Sequence, residues 1–443
     1  MRPAFLFLGG FKVLCRNRLY LADAERRGLA ALLITSAGWR DRTLAALADP
    51  DHPAAGIAEA AFVDGQLEVE GSFTAGIVGA VQDLARRWDL RGVYAVGEMM
   101  VEQTGLVADA LGLPSPGLRA TRACRSKYLQ RFYCPEWSPP VLLYPPGDRS
   151  APTGEHPGFP AVLKPASRRS SSGVRRVEGQ AALDRHLRDY PAAETLLLER
   201  YVAGQEYSVE ALVQGGRVVM DSVTRKETNE ATTASFVELG HTVPAAPGPA
   251  SDALLAANRA ILARLGFADG IAHAEFRITP AGDAVLMEIA ARTPGDGILP
   301  LYHLATGVPV EPQIMRIALG EPASYPAPSR LARQVYLDPR DRGAAGRAAA
   351  LARPGADLAG RRAVADADPG AAGGRPGAAG GAGAAGPWHP ARPAARVRRP
   401  GGDLPHRRAV GGGAGRAGAA GAGGAGGAAG EAGTGRLSGS TPE

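Results

Sequence analysis

The composition of the chain changes abruptly near residue 343, and this break limits how much of the sequence can build a hydrophobic core. The last 101 of the 443 residues contain 28 Gly, 31 Ala and 13 Arg, and no Ile, Phe, Tyr or Met. So few large apolar side chains cannot offset the entropy that a chain loses on ordering. We therefore predict a disordered low-complexity tail over residues 341–443 and a folded part that ends near residue 340.

Three explanations of this tail are open. Most of its residues have GC-rich codons, so a shift of reading frame near residue 342 in a GC-rich gene would produce such a segment. A natural flexible tail is the second explanation. The third is an RNA-binding tail, but Trp388 is the only aromatic residue among its arginines and glycines, and single-stranded nucleic acid is normally held by several stacking rings.

The net charge of +6 also belongs to the tail. Residues 1–342 hold 37 basic and 38 acidic side chains, so the folded part is near neutral and its charge gives no indication of a nucleic-acid partner. Three cysteines are too few for a disulfide framework. The sequence has neither a signal peptide nor an apolar run of about 18 residues. We expect a cytoplasmic protein that binds neither nucleic acid nor membrane.

The first 115 residues alternate between short apolar runs and helical periodicity. This alternation predicts an N-terminal α/β domain (residues 1–115) with a parallel sheet covered by helices. The Gly9-Gly10 pair follows the first predicted strand, but no GxGxxG pattern supports a dinucleotide site there. The predicted strands are Ala4–Leu8, Ala30–Thr35 and Gly92–Val96, and the predicted helices are Arg16–Arg27, Ala75–Trp88 and Met99–Leu111.

Residues 116–340 have more strand character and several hairpins, which predicts a second, α+β domain. One hairpin turns at Gly215-Gly216, and a helix over Asp252–Leu265 ends at Gly266, a residue type favoured at helix C-termini. The other predicted strands are Ala161–Lys164, Thr195–Glu199, Tyr207–Val213, Arg217–Ser222, Ile271–Ile278 and Ala284–Ile289.

Lysine is rare in this chain, with only Lys12, Lys127, Lys164 and Lys226 beside 46 arginines. A lysine retained in such a background is a candidate for a role that needs a compact positive charge. Lys164 ends a predicted strand and is followed by a loop rich in Ser and Gly, whose backbone N–H groups could hold a phosphate. An ordinary hydroxyl-rich turn is the alternative.

Two glutamates face each other across a predicted hairpin. Glu275 and Glu288 stand equally far from a turn centred between Ala281 and Gly282, so they should lie directly opposite each other. Two opposed carboxylates destabilise a sheet unless a cation lies between them, and Mg²⁺ bound by one or two carboxylates often also holds substrate phosphates. Solvated glutamates or a one-residue slip in register are the alternatives. His273 and Arg292 fall on the same face.

Taken in order, these elements resemble the ATP-grasp superfamily of ligases. The resemblance covers residues 1–340 and implies an N-terminal domain that precedes a two-lobed ATP-grasp domain over residues 116–340. Its motifs are Lys127, Lys164, the loop Ser170-Ser171-Ser172-Gly173, Glu199 with Glu206 in an ExxxxGxE pattern, and Glu275 with Glu288.

The resemblance implies a role for each of these residues. Lys127, Lys164 and the serine loop would hold the phosphates of ATP. Glu199 and the backbone of Arg200 and Val202 would bind the adenine, Glu206 the ribose, and Glu275 with Glu288 the Mg²⁺ or Mn²⁺ ion. Arg292 would stabilise the transferred phosphoryl group. The family usually has Asn as a further metal ligand where this chain has Ala290, and His273 or a water would fill that place.

The stretch from Phe236 to Pro244 looks most like the L-amino-acid ligase and carboxylate–amine ligase branch, with His241 as a possible substrate contact. This branch implies an enzyme that joins a carboxylate to an amine through an acyl phosphate, with small-molecule substrates such as amino acids. A homodimer is one assembly that the resemblance allows. A carboxylating enzyme of the biotin-carboxylase kind and a non-catalytic ATP-binding protein are the alternatives.

Overall fold

The computed structural model describes residues 1–66, 69–168, 171–230 and 236–336, together with the strand Arg396–Arg398. Apart from that strand, the tail predicted to be disordered lies outside the described residues.

The N-terminal segment folds into a parallel sheet, as its apolar runs predict. The strands lie in the order β3-β2-β1-β4, all parallel, and a short strand far along the chain pairs antiparallel with β3. The apolar runs are buried because helices cover a parallel sheet on both faces. In chain order the elements are β1 (Arg2–Gly9), α1 (Phe11–Arg16), α2 (Leu19–Arg26), β2 (Ala30–Ser36), α3 (Arg40–Ala48), β3 (Ile57–Val63), α4 (Thr74–Ala85), β4 (Trp88–Val96) and α5 (Val101–Leu111).

Two of the helix predictions in this segment had the wrong extent. The helix predicted over residues 16–27 corresponds to α2 and starts only at Leu19. Arg16 is instead the last residue of α1, which ends at Asn17, whose side-chain amide donates to the carbonyl of Val13 at 2.8 Å. Asn favours helix ends because its side chain competes with the backbone for such hydrogen bonds. The helix predicted to reach Trp88 stops at Ala85, and Trp88 begins β4 with its indole N–H donating to Glu59 at 2.9 Å.

A small antiparallel sheet follows, with the strand order β6-β5-β9-β7-β8. Its apolar side chains form a core of their own around Leu163, Leu183 and Leu198, each fully buried. In chain order this part contains α6 (Leu118–Ala123), α7 (Lys127–Tyr133), β5 (Val141–Tyr144), β6 (Thr153–Gly154), β7 (Ala161–Pro165), β8 (Arg175–Val177), α8 (Gln180–Leu187) and β9 (Leu196–Arg200).

A larger antiparallel sheet completes the fold, with the order β14-β13-β10-β11-β12-β15. The predicted turn at Gly215-Gly216 is confirmed, and both residues have the positive φ (56° and 73°) that a tight hairpin of this kind requires. The elements of this part are β10 (Gln205–Gln214), β11 (Arg217–Thr228), β12 (Glu238–Val243), α9 (Pro249–Leu265), β13 (Gly270–Ile278), β14 (Ala284–Ala290), α10 (Ile298–Thr306), α11 (Glu311–Ala318) and β15 (Ala332–Val335). The strand that pairs with β3 is β16 (Arg396–Arg398).

The predicted fold class, a parallel N-terminal sheet followed by antiparallel sheets, is confirmed. The largest hydrophobic core joins side chains from both parts, with Phe5 and Tyr20 in the same cluster as Leu212 and Met315. A domain boundary at residue 115 therefore stays a prediction. Among the described residues, no helix has the length and apolar character needed to cross a membrane.

Candidate functional site

The hairpin of β13 and β14 brings the two predicted metal carboxylates face to face. Glu275 pairs directly with Glu288, and His273 pairs with Ala290, as the sequence predicts. Nearer the turn the register is different, because Phe276 pairs with Leu286. A β-bulge that leaves Met287 as the extra residue corrects the register. Without this bulge Glu275 would face Met287 instead of Glu288.

Each of the two carboxylates contacts a lysine. Lys127 Nζ lies 2.9 Å from Glu288 Oε1, and Lys226 Nζ lies 2.6 Å from Glu275 Oε1. Lys226 also contacts Glu238 and lies 3.5 Å from Glu206. Burial raises the pKa of Glu275, but the nearby Lys226 ammonium outweighs it and holds that pKa well below its usual value. Glu275 is therefore ionised, as a metal ligand must be.

His273, two residues before Glu275 on β13, is a buried cation next to the pair of Glu275 and Glu288. Its Nδ1 is 2.8 Å from Glu210 Oε1 and its Nε2 is 3.3 Å from Glu275 Oε1. Burial lowers the pKa of His273, but hydrogen bonds to the two carboxylates raise it to about 9. A ring that donates from both nitrogens has no free lone pair for a metal ion. The structure thus disfavours the prediction that His273 replaces the missing Asn ligand at Ala290.

Glu210 is the centre of a buried network that the sequence did not indicate. Its carboxylate accepts hydrogen bonds from the hydroxyls of Ser208 at 2.7 Å, Thr224 at 2.6 Å and Tyr302 at 2.9 Å, in addition to the contact with His273. The side chain of Glu210 is only 1% exposed. Burial raises its pKa, but His273 and the hydroxyl donors lower it below the usual value, so Glu210 holds His273 as an ion pair.

A second group of charges joins the small sheet to helix α7. Lys164, at the end of β7, lies 2.7 Å from Glu199 Oε2, and Arg131 Nε lies 2.7 Å from Glu199 Oε1. Both cations also donate to the carbonyl of Met287, beside Glu288. Burial lowers the pKa of Lys164 to about 8. The predicted phosphate lysine therefore lies next to the predicted metal pair.

One N–H donor of Arg131, next to Lys164 and Glu199, makes no hydrogen bond to the described residues. Its Nη1 is buried and has no hydrogen-bond partner among the described residues. A buried N–H group without a partner costs free energy, so such a group commonly marks a ligand or water position. This orphaned donor and the ammonium of Lys164 fit a site for a phosphorylated nucleotide.

The described serines of the serine loop, which is predicted to hold the phosphates of ATP, are more exposed than Lys127 and Lys164. Ser170 lies outside the described residues, and Ser171 and Ser172 are exposed. Ser171 has a φ of 52° and its hydroxyl donates to the carbonyl of Phe236 at 3.2 Å. The loop begins near Lys127, whose ammonium donates to the carbonyl of Arg168 at 2.8 Å. It ends at Gly173, whose φ of 73° suits a residue without Cβ.

The residues predicted for adenine and ribose already have protein partners. The backbone N–H of Arg200 donates to the carbonyl of Pro140 at 3.0 Å. The carbonyl of Val202 accepts from Arg277 at 2.9 Å, and the same arginine lies 3.1 Å from Glu206. Glu199 is paired as described above. Their predicted contacts with a nucleotide stay predictions.

The two predicted substrate residues lie at different ends of the cluster. His241 is fully buried on β12 with its Nε2 2.6 Å from Glu238 Oε2, so it reaches Lys226 and Glu275 through that carboxylate. Arg292 forms an ion pair with Glu98, a buried residue that follows β4 of the parallel sheet. Burial lowers the pKa of Arg292, but Glu98 and the two metal-site glutamates raise it above its usual value.

Four of these residues were missed by sequence reasoning. Lys226 could have been found, because the rarity of lysine applied to it as much as to Lys164. Arg131 stands four residues after Lys127 on one helix, a spacing that places both on the same face. No local sequence pattern pointed to Glu210 or Glu98, because their partners, His273 and Arg292, are distant in the chain.

The donor set fits a divalent cation that is held together with phosphate oxygens. Within the described ranges no three His, Cys, Asp or Glu side chains converge as a metal site. Two opposed carboxylates are nevertheless what Mg²⁺ commonly uses when a nucleotide supplies further oxygen ligands. Glu275 and Glu288 would hold such an ion.

Comparison with known proteins shows which part of this chain is similar to a known domain. Residues 157–300 match the family model of the ATP-grasp domain. The chain therefore contains a segment similar to the ATP-grasp domain, and this segment includes Glu275 and Glu288. It is 32% identical over 162 residues to a D-alanine–D-alanine ligase of Halorhodospira halophila, a match that covers 34% of this chain and 51% of the relative.

Two further comparisons cover a larger share of the chain. An uncharacterised protein of Sinorhizobium fredii is 28% identical over 260 residues, which is 55% of this chain and 52% of the relative. The chain thus spans about half the length of the curated relatives it matches. The crystal structure of an L-amino acid ligase from Bacillus licheniformis shares the fold with a TM-score of 0.59 and 21% identity, over 76% of this chain and 81% of that one.

Proposed function

We propose that this protein is an ATP-dependent ligase that joins a carboxylate to an amine, with amino acids as the substrate class. The observation that carries the proposal is the pair of opposed glutamates, Glu275 and Glu288, beside two buried lysines within an ATP-grasp domain. The D-alanine–D-alanine ligase and the L-amino acid ligase among its relatives support amino acids as substrates.

In the proposed reaction a carboxylate oxygen of the first substrate attacks the terminal phosphorus of ATP, and ADP leaves. The nitrogen of the amine then attacks the acyl carbon, phosphate leaves, and the amine loses a proton to solvent. Lys127 and Lys164 bind the phosphates and orient the terminal one. A Mg²⁺ ion held by Glu275 and Glu288 would neutralise charge on the phosphates.

Arg292 completes this proposed site from the side of the parallel sheet. Its ion pair with Glu98 fixes the guanidinium near Glu288, where it can stabilise negative charge on the transferred phosphoryl group. His273, held by Glu210, orients the carboxylate of Glu275. His241 would orient a substrate through Glu238. The enzyme would act in the cytoplasm, where ATP is available.

A screen for ADP release over pairs of amino acids tests the proposal. We expect release that requires both an acid and an amine and that is lost in Lys164→Ala and Glu288→Ala. Lys12→Met is a matched control that removes the charge of a lysine near Trp39, and it should keep full turnover. Turnover that depends on bicarbonate instead would favour a carboxylating enzyme. ATP binding without turnover under any acceptor would favour a non-catalytic protein.

A further inference from the structure

The two carboxylates of the proposed metal site already have cations in contact. Lys127 Nζ is 2.9 Å from Glu288 Oε1, and Lys226 Nζ is 2.6 Å from Glu275 Oε1. A divalent cation that approaches this pair meets the repulsion of two ammonium groups as well as the attraction of two carboxylates. Its affinity for the site therefore depends on whether the lysines keep these contacts.

The two lysines differ in how firmly they are held. Lys226 is 1% exposed and contacts three carboxylates, those of Glu206, Glu238 and Glu275. Its burial lowers its pKa, but these carboxylates raise the pKa well above the usual value. Lys226 is thus a permanent member of the cluster that can lose one partner and keep two.

Among the described residues, Lys127 contacts one carboxylate, that of Glu288. Within the same residues it also donates to the backbone carbonyl of Arg168, at the start of the serine loop. The carboxylate of Glu288 is 25% exposed, so solvent or another ligand can reach it. Lys127 is also one of the two lysines that the proposed function assigns to the phosphates of ATP, and a nucleotide phosphate carries more negative charge than one carboxylate.

We propose that Lys127 acts as an internal counter-ion that excludes a divalent cation from Glu288 until nucleotide phosphate draws its ammonium away. Metal and nucleotide then bind as a coupled pair, each raising the affinity for the other by the same factor. The exchange moves no proton and breaks no covalent bond. This inference rests on the proposed function, because it takes Glu288 as a metal ligand and Lys127 as a phosphate ligand.

The test uses the full chain with Mn²⁺ alone, and electron paramagnetic resonance to measure the free ion. Removing one positive charge a few ångströms from a divalent cation should tighten its binding roughly tenfold or more, even at a high effective dielectric constant. We therefore expect Lys127→Met to bind Mn²⁺ about tenfold more tightly than the wild type. The same variant should bind ADP at least about tenfold more weakly in the presence of EDTA, since the phosphate loses a charged ligand.

Three further variants make the result specific. Lys127→Gln should behave as Lys127→Met does, and it provides a second measurement if one of the two fails to fold. Lys12→Met removes a charge beside Trp39 and should change neither affinity. Adding Glu288→Gln to Lys127→Met should abolish the gain in Mn²⁺ affinity.

Two outcomes would overturn the inference. One is an unchanged or weaker Mn²⁺ affinity in both Lys127 variants, and the other is a gain that survives the loss of the Glu288 carboxylate. The proposed function fails separately, through an absence of ADP binding to the wild-type protein. ADP binding together with unchanged Mn²⁺ affinities would remove this inference alone.

Discussion

The parallel sheet and the six-stranded antiparallel sheet differ in the charged side chains that they bury beside their apolar ones. In β1 and β2 the buried residues are apolar, with Phe5 and Leu32 fully buried. In β10, β11 and β13 the buried residues include Glu210, Lys226 and His273. Apolar burial stabilises in proportion to the area removed from water, whereas a buried charge is tolerated only with a partner.

The difference teaches where each sheet is vulnerable. A lost methyl group in the parallel sheet weakens packing and leaves the chemistry intact. Removing a charged side chain from the antiparallel sheet leaves its partner buried without a counter-ion beside the proposed metal pair. Glu59 of β3 is a buried charged side chain in the parallel sheet. It forms an ion pair with Arg87 at 2.5 Å, and it is distant in sequence from Glu210, Lys226 and His273.

The largest effect on stability is expected for Glu210→Ala. This change leaves the His273 cation buried without its main partner, which should lower the free energy of unfolding by about 3–5 kcal/mol. Urea denaturation of the purified protein measures it. Glu178→Ala removes a carboxylate that is 67% exposed and should change stability by less than about 0.5 kcal/mol. Equal effects of the two changes would contradict the account of the buried network.

Leu32→Ala in the parallel sheet should cost about 2–5 kcal/mol, because it leaves a cavity at a fully buried position. The affinity for ADP, measured on the folded protein at low temperature, should stay unchanged. Leu304→Ala, at a side chain that is 62% exposed, is the matched control with little effect on either quantity. A loss of ADP affinity in Leu32→Ala would show that the two sheets are not separable in this way.

Affinity for ADP should fall as the pH rises above 8. Burial lowers the pKa of Lys164 to about 8, so the free protein loses this positive charge above that pH and must regain a proton to bind phosphate. We expect a decrease of about tenfold for each further pH unit. Calorimetric titrations between pH 7 and pH 9.5 measure it. Lys164→Arg keeps its charge over this range and should show a flat profile. A flat profile in the wild-type protein would contradict the prediction.

The smallest effect is expected for an ion pair on the surface. Arg91 lies 3.0 Å from Asp89, with the two side chains 62% and 45% exposed. Arg91→Ala should lower the free energy of unfolding by only about 0.2–1 kcal/mol, because solvent screens such a pair. The same urea measurement checks it. An effect as large as that of Glu210→Ala would mean that burial does not separate the two kinds of ion pair.

Much of the fold could be predicted because its signals are local. The continuous apolar run of β1 indicates a strand buried on both faces, and the glycines at 215 and 216 indicate a hairpin. The boundary errors came from side chains that act at helix ends, such as Asn17. The pairing of Glu275 with Glu288 was predicted correctly, but only because a bulge at Met287 corrected the register near the turn.

The sequence by itself determined the hairpin that carries Glu275 and Glu288, the rare lysines and the order of the sheets, because turns and apolar runs depend on neighbouring residues. The bulge at Met287 that places the two glutamates opposite each other was visible only in the structure. Only the tertiary structure decided which lysine contacts which glutamate. Lys127 reaches Glu288 across 161 residues, and Glu210 reaches His273 across 63. Glu210 and His273 meet because β10 and β13 are neighbouring strands of one sheet, and Lys127 reaches β14 from helix α7. Side chains that are distant in the chain carry no local signal of such contacts.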